Sequence, residues 1–90
     1  MLIKYFADIR NLTGCMEQPF SATAPSLRSL LLQLGEQHGA GFRNRIFDRG
    51  ELSSTLIIMV NGRNIEHLAG IDTALGPDDV VAVFPMVAGG

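Results

Sequence analysis

The chain has 90 residues, 47% of them hydrophobic, with seven basic and nine acidic residues and a formal charge of -2. That length supports one domain able to bury roughly 60 to 65% of its unfolded surface without metals or cross-links, and a single cysteine excludes an internal disulfide. The charge provides no broad positive field for a phosphate backbone, so nucleic acid is not an expected partner.

Residues 2–7, "LIKYFA", have the aromatic and β-branched content of a strand, and residues 15–20, "CMEQPF", form a weaker second one. The link "DIRNLTG" is too long for a two-residue turn and is expected to hold one helical turn ending at Gly14. From Ser26 the period changes. Leu27, Leu30, Leu31 and Leu34 form an apolar stripe at helical spacing, with Ser26 placed to cap its start and Gly39 to end it after His38. Gly35 inside this helix weakens it by about 1 kcal/mol relative to alanine.

Residues 41–55, "GFRNRIFDRGELSST", are polar and rich in arginine, yet Phe42, Ile46 and Phe47 predict one short helical turn docked on the core. Arg43, Arg45 and Arg49 are expected to form a solvated loop cluster balanced by Asp48 and Glu51. "TLIIMV" reads as a buried strand and Asn61-Gly62 as a hairpin turn, because both residues tolerate positive φ. "NIEHL" is expected as a short returning strand, followed by an irregular connection that closes on a Gly-Pro-Asp turn. The near-continuous apolar run "VVAVF" marks a central last strand.

One principal helix after a hairpin, with later strands beyond it, is an α+β arrangement in two layers. A crossover helix and a central last strand put that strand parallel to the first, which makes a β-grasp: a mixed sheet packed against one main helix.

Most reaction chemistry lacks its residues. One cysteine and two separated histidines make neither a zinc set nor an iron–sulfur set, so no metal site is expected. Cys15 reads as a half-buried strand residue, His38 and His67 as surface residues, and Asp78 with Asp79 as turn formers. The glycines are too scattered for a phosphate loop, and no catalytic residue is assigned. No segment has the length and apolarity of a membrane span, and the N-terminus lacks a secretory signal, so together with the unpaired thiol a cytoplasmic location is expected and membrane association is not.

The ending "VFPMVAGG" stands apart. Beyond a rigid apolar strand and Pro85, small or apolar residues lead to two glycines, whose lack of Cβ atoms suits passage through a narrow channel. Five residues after Pro85, extended, reach about 17 Å. The one functional group at such an end is the carboxylate.

"KYFADIRNLTG" at 4–14, "VNGRNI" at 60–65 and above all "GPDDVVAVFPMVAGG" at 76–90 resemble the MoaD/ThiS family of ubiquitin-like sulfur carriers, most closely the small subunit of molybdopterin synthase. The resemblance spans the chain. It implies a single ubiquitin-like domain over 1–90 with a flexible tail at 86–90, acting as a carrier and not as an enzyme. It further implies that Gly90 is adenylated by an activating enzyme of the ubiquitin-activating class, which consumes ATP with Mg, and is then converted to a thiocarboxylate. Gly89 and Ala88 would thread into the partner, while Phe84, Pro85, Met86 and Val87 would dock the base of the tail. The sulfur acceptor implied is the molybdopterin synthase large subunit. The "VAGG" end and the long 41–55 segment also resemble carriers for cysteine biosynthesis, and thiamine biosynthesis or conjugation of Gly90 to target lysines are further alternatives. Lys4, the only lysine, leaves few acceptors for self-linked chains. A passive adaptor would leave the two glycines unexplained.

Overall fold

The computed structural model describes residues 1–21 and 23–86. In chain order it contains β1 (Leu2–Tyr5), α1 (Asp8–Thr13), β2 (Glu17–Pro19), α2 (Leu27–His38), α3 (Ala40–Ile46), β3 (Phe47–Asp48), β4 (Glu51–Leu52), β5 (Leu56–Val60), β6 (Arg63–Asn64) and β7 (Val80–Pro85). The main sheet has the order β2-β1-β7-β5-β6, with β1 parallel to β7 and every other pairing antiparallel. This is the mixed sheet of a β-grasp, with the last strand at its centre.

Local signals set most of these elements. Ser26 Oγ accepts the Ser29 N–H at 3.2 Å and starts α2, which ends at Gly39 with φ 92°. Leu27, Leu30, Leu31 and Leu34 are all fully buried, so the helical stripe faces the core. The turn of "DIRNLTG" forms as α1 and stops at Gly14 in the left-handed region. Asn61 and Gly62 both take positive φ between β5 and β6, as a tight hairpin turn requires. Asp79 is a turn former: its carboxylate accepts from Gly76 N–H and Asn61 Nδ2, each at 2.8 Å, and these bonds hold its pKa below the ordinary value.

Four expectations need correction. Only Arg63 and Asn64 of the segment after the hairpin pair with β5, because Asn64 Oδ1 accepts the Glu66 N–H at 2.9 Å and turns residues 65–67 into a 3-10 helix. The 41–55 segment is more ordered than one turn. Helix α3 buries Phe42 and Ile46 and is followed by the β3–β4 hairpin, so Arg43 and Arg45 are helical residues and not part of a loop cluster. His38 is not a surface residue: it is half-buried, its Nε2 lies 2.9 Å from Gln18 Oε1, and its ring packs at 5.9 Å from that of Tyr5 and 5.4 Å from that of Phe42. Burial lowers its pKa, and burial followed by the charge of Cys15 raises that of Tyr5, whose hydroxyl donates to the same Gln18 oxygen at 2.6 Å. The strands are also shorter than the sequence predicts, β1 stopping at Tyr5 and β2 covering only Glu17–Pro19.

Gly35 has a tertiary reason. A Cβ there would lie 2.8 Å from Arg43 Cγ, and Arg43 Nη1 donates to the Gly35 carbonyl at 3.0 Å. The glycine weakens α2 locally and lets α3 close against it.

Candidate functional site

The site is built where β7 leaves the sheet. Residues paired directly across a sheet share a face. Ile3 and Tyr5 of β1, Val81 and Val83 of β7, and Ile58 and Val60 of β5 share the buried face. The opposite face carries Lys4, Ala82 and Met59 in one row and Phe84 with Ile57 in another, all of them only partly buried.

Just past β1, Phe6 extends that second row. Its backbone N–H donates to the Val83 carbonyl at 3.1 Å, and its ring meets Phe84 edge to face at 5.7 Å, a T-shaped geometry that aromatic quadrupoles favour. Phe6 is 40% exposed and Met86 51%, so a large apolar surface surrounds the last residues of β7. Lys4 lies on the same face, 4.0 Å from Glu17 across β1 and β2.

The end of β7 is fixed by backbone chemistry. Asn61 N–H donates to the Val80 carbonyl and Met86 N–H to the Thr55 carbonyl, both at 2.8 Å, and an antiparallel ladder alternates bonded and non-bonded pairs. Pro85 therefore falls opposite Leu56 at a non-bonded position and costs β5 no hydrogen bond. On its other side a residue-85 N–H would face the Phe6 carbonyl, which already accepts the Ile9 N–H at 3.2 Å, so the missing donor is harmless there too.

The structure thus brings together Phe84, Pro85 and Met86 of the expected docking group. Met86 is still hydrogen bonded to the fold, although residues 86–90 were all expected to be tail. Val87, Ala88, Gly89 and Gly90 lie outside the described residues. Phe6, Ile57 and Thr55 were not found from the sequence. The period-2 alternation of residues 2–6 sets Phe6 apart from Ile3 and Tyr5, but its pairing with Phe84, distant in sequence, needed the β1–β7 register.

A groove lined by Met1, Phe20, Ala24, Pro25, Leu75 and Pro77 among others includes no residue of this site and lies toward the opposite end of β7. Among the described residues no group of three His, Cys, Asp or Glu side chains is placed to hold a metal ion, and no helix is long and apolar enough to cross a membrane.

A sheet of this order, ending at its central strand beside an apolar face, is the geometry of ubiquitin-like proteins. Residues 3–90 match the model of the ThiS family. The chain belongs to the ThiS family. It is similar to Small archaeal modifier protein 3 of Haloferax volcanii, 32% identical over 88 residues that cover 98% of this chain and 96% of that protein. A protein of Archaeoglobus fulgidus that carries a provisional sulfur-carrier name is 34% identical over 65 residues, 72% of this chain and 74% of its own length. Among solved structures, small archaeal modifier protein 1 from Methanosarcina acetivorans superposes with a TM-score of 0.87 at 31% identity, covering 99% of this chain and 94% of that one. The proteins it is similar to are thus named as small ubiquitin-like carriers and modifiers, and proteins of the ThiS family generally carry out no catalysis themselves.

Proposed function

We propose that this protein is a sulfur carrier whose Gly90 carboxylate, as the C-terminal group, is activated and thiolated. The observation that carries the reading is the arrangement at the end of β7. Met86 is held to Thr55 beside the exposed Phe6–Phe84 pair, and four residues ending in two glycines follow it, a reach of about 14 Å when extended. The family match running to residue 90 supports it.

The chemistry needs an activating enzyme of the ubiquitin-activating class, because a carboxylate is a poor electrophile. The Gly90 carboxylate attacks the α-phosphate of ATP, bound there with Mg, and pyrophosphate leaves. Hydrosulfide, or a donor that delivers sulfur at the same oxidation level, then attacks the acyl carbon, AMP leaves, and loss of the S–H proton gives a thiocarboxylate. The apolar face around Phe84, Pro85 and Met86 docks first, and Ala88, Gly89 and Gly90 enter the partner's channel, where tethering gives the sulfur a high effective concentration. From the resemblance of "GPDDVVAVFPMVAGG" the proposed acceptor is the molybdopterin synthase large subunit, with sulfur acceptors of cysteine or thiamine biosynthesis as alternatives.

A second reading, conjugation of Gly90 to target lysines, is favoured by the small archaeal modifier proteins among the similar chains. Both readings share the activation step. Mass spectrometry after incubation with ATP, the activating enzyme and a sulfur donor is expected to show a gain of about 16 Da, the exchange of oxygen for sulfur on the activated acyl group, and none after deletion of Gly90. No gain with competent partners would sink the carrier reading. Covalent adducts of higher mass that survive reducing denaturation and require Gly90 would establish the modifier reading.

A further inference from the structure

The end of β7 is tied to the rest of the fold by side chains that no activation chemistry requires. Arg45 of α3 donates from Nε to Asp8 Oδ2 at 2.7 Å, at the start of α1, and from Nη1 to Thr55 Oγ1 at 2.9 Å. Ser53 reinforces the same turn: its N–H donates to the Ile46 carbonyl at 2.8 Å, and its hydroxyl lies 2.8 Å from that of Thr55. The carbonyl of this Thr55 accepts the Met86 N–H.

An ion pair at a surface adds little stability by itself, and Asp8 is half exposed. Arg45, in contrast, is only 23% exposed and spans three segments, α1, α3 and the turn before β5. The place it holds is, among the described residues, the last backbone bond between β5 and the β7 end of the sheet. Pro85 has no N–H, so with the Met86 bond broken the nearest remaining bonded position toward β5 is Phe84. Loss of the Met86 bond would therefore release two more residues, Pro85 and Met86, from the sheet.

We propose that Arg45 is a positioning residue for the tail: by locking Thr55 between α1 and α3 it holds the Met86 N–H bond, and so keeps Pro85 and Met86 on the sheet in the approach to Gly90. Its consequence for activation rests on Gly90 being the activated group. Each added residue raises the conformational entropy lost when the chain is ordered in a channel, and misplacement of a reacting group slows its reaction.

The test uses the full chain and two variants, Arg45→Ala and Thr55→Val, so that failure of one to fold leaves the other. Amide hydrogen exchange followed by NMR is expected to accelerate about tenfold at Met86 in both, while Ala82 at the centre of β7 keeps its wild-type rate, which separates local release from global destabilisation. In steady-state assays with the activating enzyme, kcat is expected to fall about tenfold with KM for the carrier unchanged, because Phe6 and Phe84 still dock. Wild-type exchange at Met86 in both variants would overturn the proposal. Faster exchange with unchanged kcat would overturn the positioning role in activation. A wild-type chain that is never activated would defeat the reading of Gly90, a result visible in the parent protein alone, and the Met86 exchange rates would still decide whether Arg45 fixes the root of the tail.

Discussion

The two faces of β7 differ in what covers them, not in how apolar they are. Val81 and Val83 point to the core containing the four leucines of α2 and are fully buried, while Ala82 and Phe84, their neighbours along the strand, are only half-buried on the other side. Hydrophobicity alone does not separate the sides of the run "VVAVF". A helix on one face turns half of an apolar strand into core and leaves the other half as an apolar surface, and such surfaces mark interaction sites. Beside Phe6, that surface includes Met86, the last described residue before the segment on which the proposed chemistry depends.

The sharpest way to break this comparison is a matched pair of truncations on adjacent residues. Val83→Ala removes two methyl groups from a fully buried site and is expected to cost about 2.5 kcal/mol of folding stability, transfer and cavity costs together, with partner affinity unchanged once folded. Phe84→Ala is expected to weaken binding to both the activating enzyme and the sulfur acceptor by about 2 kcal/mol, the level of an interface hot spot, and to lower the melting temperature less than Val83→Ala does. Denaturant titrations beside calorimetric binding of both variants decide it. Unchanged affinity with a large loss of stability in Phe84→Ala would place its ring in the core.

A smaller effect is expected on the covered side at Gly35. Alanine gains about 1 kcal/mol of helix propensity there, but its Cβ would collide with Arg43 Cγ and disturb the bond from Arg43 to the Gly35 carbonyl. Overpacking costs of about 1 to 3 kcal/mol outweigh that gain, so Gly35→Ala is expected to lose about 1 kcal/mol in chemical denaturation. A stabilised variant would show that α2 and α3 are less tightly joined than the distances imply.

The smallest effect is the pH dependence of the covered side. Burial lowers the His38 pKa below its ordinary 6.5, so the folded state disfavours the proton. The stability gained by keeping His38 neutral is complete above that value and is lost as pH falls through the folded pKa. Melting temperature is therefore expected to fall more between about pH 7 and about pH 5 in the wild type than in His38→Gln, with the difference read by calorimetry. Equal slopes would mean that Gln18 bonds protonated and neutral His38 alike.

Features decided within a few residues were legible in the sequence. Helix α2, its Ser26 cap and its end at Gly39, the turn closed by Gly14, the Asn61-Gly62 hairpin and the central position of the final strand follow from short-range spacing and backbone preference. So does the distinctive ending of the chain, although its last four residues lie outside the described structure. Only the tertiary structure decided that His38 packs against Tyr5 and Phe42, that Gly35 makes room for Arg43, that Phe6 completes the surface of Phe84, and that Arg45 reaches both Asp8 and Thr55. Each of these joins side chains on different elements, where contact depends on register and packing rather than on any local pattern. A sequence carries its periods and turns in adjacent residues, whereas the meeting of distant side chains is fixed only when sheet and helices close together.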